Sequence, residues 1–130
     1  MPDYLITWLL CAAIFLAADM VWLCVAAKKF YHRHLGSLLA DKFNGSAAVA
    51  FYLVYVTGIV VFCVAGNPAW QDAALWGVLF GFFCYATYNL TNLATLRRWP
   101  ATVTVVDLIW GPVVTGVTAG GAAALMQSLA

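Results

Sequence analysis

Asp19 and Asp107 are the only acids inside the long apolar runs of this 130-residue chain. A carboxylate in hydrocarbon costs roughly 2.5–3.5 kcal/mol even on the most lenient scale, so both need strong partners or a function. Each is followed three residues later by a tryptophan, giving the pairs Asp19/Trp22 and Asp107/Trp110. One helical turn separates the members of each pair, so the indole can wall its carboxyl or donate its N–H nearby. If the two carboxyls approach within ~5 Å, one shared proton or one bound cation is expected, because like charges that close do not both ionise. A cation would find hard oxygen ligands here: the carboxylates, side-chain amides, hydroxyls, and the Leu108 carbonyl whose helical partner Pro112 cannot supply.

Other polar groups fall at matching depth. Counted from the basic ends of their runs, Asp19 lies about 12 Å deep and Asp107 about 9 Å deep at the helical rise. The third run brings Tyr85, Tyr88, Asn89 and Asn92 to that layer, and the second supplies Tyr52 and Tyr55. Gly77, Gly81, Tyr85, Tyr88 with Asn89, and Asn92 follow one helical stripe, small at one end and polar at the other. Asp107, Trp110, Gly111, Thr115 and Thr118 share a face by the same arithmetic. The candidate ligand-binding set is therefore Asp19, Trp22, Tyr52, Tyr55, Tyr85, Tyr88, Asn89, Asn92, Asp107 and Trp110, drawn from all four runs.

The elements that must position these residues follow from composition. The chain is 65% hydrophobic and 8% charged, against about 25% charged in soluble domains, which makes it a membrane protein. Four runs, about 4–27, 46–65, 73–96 and 101–125, are each long enough to cross ~30 Å of hydrocarbon as a helix. The expected fold is all-α, a single four-span bundle over 1–130 with no room for a soluble domain. The first run is too long for a signal-peptide core and should stay attached as a span.

All six basic residues, Lys28, Lys29, Arg33, Lys42, Arg97 and Arg98, sit in the connections after the first and third runs. Such residues are retained in the cytoplasm, so both termini are expected outside, in the cytoplasmic (inner) membrane of a bacterium. The long connection 28–45 mixes those charges with Phe30, Tyr31, Leu35, Leu38, Leu39 and Phe43. It reads as a partly helical interfacial loop, weakened at Gly36, with basic heads on lipid phosphates. Gly66-Asn67-Pro68 is the outer turn, followed by Trp70 and Trp76 in the interfacial belt, and Pro100 is placed to open the last span. The charge pattern concerns lipid head groups; nothing suggests nucleic acid.

Cys11, Cys24, Cys63 and Cys84 lack metal or disulfide spacing and read as packing residues. His32 and His34, two apart, do not share a helix face. No nucleophile elbow, phosphate loop or zinc-protease motif occurs, and no cofactor can be named.

At Asp19-Met20-Val21-Trp22, Ala40-Asp41-Lys42, the stretch from Tyr88-Asn89-Leu90 to Leu96, and Asp107-Leu108-Ile109-Trp110 the chain resembles a family of small bacterial four-span proteins, domain of unknown function 2177. The resemblance spans nearly the whole chain. It implies the same topology and site, an acid at the position held here by Asn89, and a slight tilt towards lipid substrates.

Two functions are open on these residues. The first is a cytoplasm-facing polar pocket that binds a proton, a cation or a small amphiphile, as a permeation or binding module. Dimerisation through the glycine faces of the third and fourth spans, or membership of a larger membrane complex, would supplement its small volume. The alternative is a lipid-modifying enzyme or accessory subunit at the inner leaflet, with Asp19 and Asp107 as acid and base. A purely structural role for both acids, fixing helix register, stands beside these.

Overall fold

The computed structural model describes residues 3–36, 38 and 44–129; Leu39, Phe43 and the Ala40-Asp41-Lys42 stretch lie outside the described residues. Helix α1 (Tyr4–Trp22) starts at Asp3, whose carboxylate accepts the Leu5 and Ile6 amides at 3.1 Å, the usual satisfaction of orphan donors at a helix start. It passes through a π-helical turn (Leu23–Ala27) into α2 (Lys28–Leu35). Helix α3 (Gly45–Ile59), capped by Asn44 on the Ala47 amide at 3.0 Å, ends in a second π turn (Val60–Val64). Helices α4 (Trp70–Thr95) and α5 (Ala101–Leu129) follow, and no strand occurs among the described residues. Among the described residues four helices are long and apolar enough to cross a membrane, and large apolar side chains such as Leu9, Val54, Phe83, Ile109 and Val117 are exposed along their outer faces. The chain is an integral membrane protein with several spans.

The helical part expected of the 28–45 connection is α2, which ends at Leu35 just before Gly36. The first helix does not stop where the charges begin: Lys28 has helical φ and ψ, and its amide bonds the Leu23 carbonyl five residues back. Charge ends a span because hydrocarbon rejects it, whereas lysine is a good helix former, so the backbone continues. The basic residues Lys28, Lys29, Arg33, Arg97 and Arg98 thus gather at one end of the bundle, with Asp3 and Asp72 at the other.

The tightest packing joins α4 to α5, antiparallel, through small residues. A Cβ on Gly77 would lie 2.6 Å from the Thr115 carbonyl oxygen, and one on Gly116 would lie 2.7 Å from the Val78 side chain. Gly81 faces the Gly111 backbone, and Gly111 lies under the Tyr85 ring. The glycine faces expected to serve dimerisation are therefore turned towards each other within one chain. Helix α1 lies against α5 and α3, where Cys11, Phe15, Ile59, Val114 and Ala122 form the buried core.

The turn between the second π turn and α4 uses left-handed backbone at Gly66 (φ 91°) and Asn67 (φ 56°). A Cβ on Gly66 would touch nothing within 4 Å, so its glycine serves conformation alone. Gly66→Ala is expected to lower stability by about 1–2 kcal/mol, the cost of a left-handed L-residue. Thermal unfolding in mild detergent checks it, with Gly45→Ala, another glycine with open space around it, as the comparison.

Candidate functional site

The site centres on Asp107, which is 7% exposed although it is an acid inside a span. Two other elements reach its carboxyl. Asn89 of α4, fully buried, donates its amide N–H to Oδ2 at 3.0 Å and also to the Tyr85 carbonyl at 3.0 Å. The Tyr31 hydroxyl, from α2, donates to Oδ1. With both oxygens accepting, the acid is held in one orientation. Trp110, one turn further along α5, stacks on Trp22 of α1 with ring centroids 4.5 Å apart and planes within 10°; a stacked aromatic pair of this kind contributes roughly 0.5–1.5 kcal/mol beyond its buried area.

Asp19 makes a different pair. The Tyr52 hydroxyl of α3 donates to its Oδ2. Helices α1 and α5 run antiparallel, since Ile14 meets Gly121 and Trp22 meets Trp110. Asp19 therefore sits one turn to one side of the stacked indoles and Asp107 one turn to the other. Their heights differ by roughly 10 Å at the helical rise. The arrangement with two neighbouring carboxyls sharing a proton or a cation is not the one the helices adopt: each acid has its own tyrosine. Among the described residues no group of three or more His, Cys, Asp or Glu side chains could hold a metal.

The remaining residues of the sequence reading distribute around these pairs. Tyr55 is buried and shares a hydrogen bond with Thr115 Oγ1 at 2.8 Å. Tyr85 lies over Gly111 and is half-buried. Tyr88 is 57% exposed and meets Trp99 edge-on at 5.8 Å. Asn92 stands in the last turn of α4, where its carbonyl accepts the Leu96 amide and its side chain is bonded to neither carboxyl. The buried indole N–H groups of Trp22 and Trp110 and the Asn89 side-chain oxygen have no hydrogen-bond partner among the described residues, so these donors and this acceptor are unused within them.

A cleft opens between α3 and α4 at the basic end, with a volume of about 730 Å³. Ala47 and Ala48 leave room on the α3 side, Phe51, Tyr55, Tyr85 and Tyr88 supply aromatic walls, and Asp107 is its acid. Phe51 and Tyr88 are exposed, so the cleft faces the lipid as well as the end of the bundle.

Tyr31 lies outside the candidate set that spacing gives, and the reason is physical. At 100° per residue, Phe30 returns to within about 20° of the Asp19 face while Tyr31 points about 120° away. The π turn holds one extra residue, which rotates everything after it back by about one position, so Tyr31 takes the inward place. Burial, and the bonded Asp107 carboxylate beside it, push the Tyr31 phenol well above its ordinary range; the nearby Trp22 N–H opposes that rise without hydrogen-bond geometry. Tyr31 thus stays protonated and donating at neutral pH. Because its folded value is raised, its contribution to stability is complete below about pH 10, the free phenol's range, and is lost as pH climbs above it.

The family described as "Predicted membrane protein (DUF2177)" matches residues 4–124, which include both Asp-x-x-Trp stretches. No curated protein and no solved structure matches the chain. With all but a few residues at each end accounted for, the chain belongs to this family of membrane proteins, the domain of unknown function 2177 family.

Proposed function

We propose that the protein is a binding module for a small amphiphile with a basic head group, which enters the α3–α4 cleft from the lipid and places its head at Asp107. The observation that carries this reading is a 7%-exposed carboxyl, both oxygens already oriented, in an aromatic cleft whose lining, among the described residues, includes no basic residue. An acid so placed complements a cation, and apolar walls complement a chain; this is the usual make-up of a small-ligand site. Permeation is less well supported, because beyond Tyr55–Thr115 the bundle is closed by Ile59, Val60, Ala119 and Ala122. Acid–base catalysis on one lipid head is also less well supported, since Asp19 and Asp107 stand on opposite sides of the indole stack. By the retention of basic residues, the cleft opens to the cytoplasmic leaflet of a bacterial inner membrane.

The test is native mass spectrometry of protein released from nanodiscs loaded with equal amounts of dodecylamine, dodecanol or dodecanoate. One dodecylamine per chain is expected, with dodecanol weaker and dodecanoate excluded. Asp107→Asn is expected to reduce dodecylamine occupancy about tenfold or more, equivalent to ~1.4 kcal/mol. Equal occupancy by all three probes in the wild-type protein, or an unaffected Asp107→Asn, overturns the reading. The head-group preference of the wild type decides by itself if the variant does not fold.

A further inference from the structure

We infer that α2 and the turn between α4 and α5 form a docking surface for anionic phospholipid head groups, separate from the Asp107 cleft. Helix α2 has two unlike sides. Inward, Tyr31 reaches Asp107, Leu35 is buried, and the Phe30 and His34 rings pack at 4.4 Å, with His34 Nδ1 2.9 Å from the Phe30 carbonyl oxygen. Outward, Lys28, Lys29, His32 and Arg33 are all exposed. Lys28 with His32 and Lys29 with Arg33 are spaced i, i+4, so the four form two adjacent stripes along two turns. The π turn creates this division: the rotation that brings Tyr31 inward carries the basic stripes away from the bundle.

Arg97 and Arg98 are exposed at the same end. Their turn is braced by Trp99, whose indole N–H donates to Thr104 Oγ1 at 3.1 Å and whose ring meets Tyr88. Lys28 is the third residue beyond the candidate span Tyr4–Val25. At 1.5 Å per residue, that places the stripes at the level of the lipid phosphates. Five permanent cations at that level, with Asp3 and Asp72 at the far end, complement a negative membrane surface, where each basic residue adds about a fivefold gain in binding.

The experiment compares lipid adducts retained in native mass spectrometry by protein from nanodiscs holding equal parts phosphatidylglycerol and phosphatidylcholine. The wild type is expected to retain phosphatidylglycerol at least fivefold in excess, and 0.5 M salt during exchange should erase the excess by screening. Lys28→Gln/Lys29→Gln/Arg33→Gln should bring the ratio close to one, and Arg97→Gln/Arg98→Gln should lower it in part. The triple variant should keep its dodecylamine binding, while Asp107→Asn should keep the lipid preference, so failure here is distinguishable from failure of the cleft. No excess in the wild type, or an excess that survives both sets of substitutions, overturns the inference. Competition by millimolar inorganic phosphate would overturn it too, by assigning the surface to a soluble anion.

Discussion

Gly81→Leu is expected to force α4 and α5 apart and to abolish cooperative unfolding in mild detergent. A Cβ at position 81 would already press on the Gly111 backbone and lie 2.7 Å from Thr115 Oγ1; the rest of a leucine has nowhere to go. Overpacking in a tight interior costs roughly 1–3 kcal/mol when side chains can yield. Here the obstacle is backbone on a helix that meets its partner along further glycines, Gly77, Gly111, Gly116 and Gly120. Gly81→Ala should therefore fall by at least ~3 kcal/mol, a drop in Tm of roughly 10 °C or more for a domain this size, and Gly81→Leu further still. Gly45→Leu, at a glycine with nothing within 4 Å among the described residues, should change little. The experiment also asks where the glycines act. If they joined two copies, as their spacing in sequence suggests, Gly81→Leu would yield a folded monomer from a dimer. Circular dichroism with size-exclusion chromatography separates that outcome from unfolding.

The glycine faces illustrate what a sequence of this kind makes legible. Long apolar runs and the gathering of charge announce an all-α membrane bundle, because a lipid-exposed backbone must satisfy its own hydrogen bonds. The Asp-x-x-Trp repetition likewise marks residues that meet: Trp22 and Trp110 stack, and Asp107 is buried beside Asn89. Which small faces pair with which is not written locally, since a glycine stripe fits any close neighbour. Nor does depth alone settle the partners of the acids. Counting along the runs gives Asp19 and Asp107 similar depths, yet in the bundle their heights differ by roughly 10 Å, the indoles lie between them and each takes a separate tyrosine. Tyr31 was hidden for a third reason, a change of helical period inside a run whose composition gives no sign of it.

That change of period has a consequence opposite to ordinary expectation for a helix. Deleting one residue from a helix turns everything beyond it by about 100°. Deleting Cys24, within the π turn, is expected to leave the Tyr31–Asp107 bond in place, because removing the extra residue converts the turn to regular α-helix with the downstream face unmoved. Cys24 is exposed and contributes nothing to the core, so the deletion should change stability by no more than ~0.5 kcal/mol. Deletion of the equally exposed Ala17, in regular α-helix, should swing Asp19 and Trp22 away from Tyr52 and Trp110 and cost several kcal/mol, as loss of buried polar and aromatic partners does. A double-mutant cycle with Tyr31→Phe reads the bond directly. In the wild type that substitution should cost about 1.5–3 kcal/mol, the range for a hydrogen bond to a charged group. The same cost should persist without Cys24 and vanish without Ala17. Were Tyr31→Phe to become neutral in the protein lacking Cys24, the π turn would not be what aims Tyr31 at Asp107, and the division of α2 into an inward tyrosine side and an outward basic side would lose its structural cause.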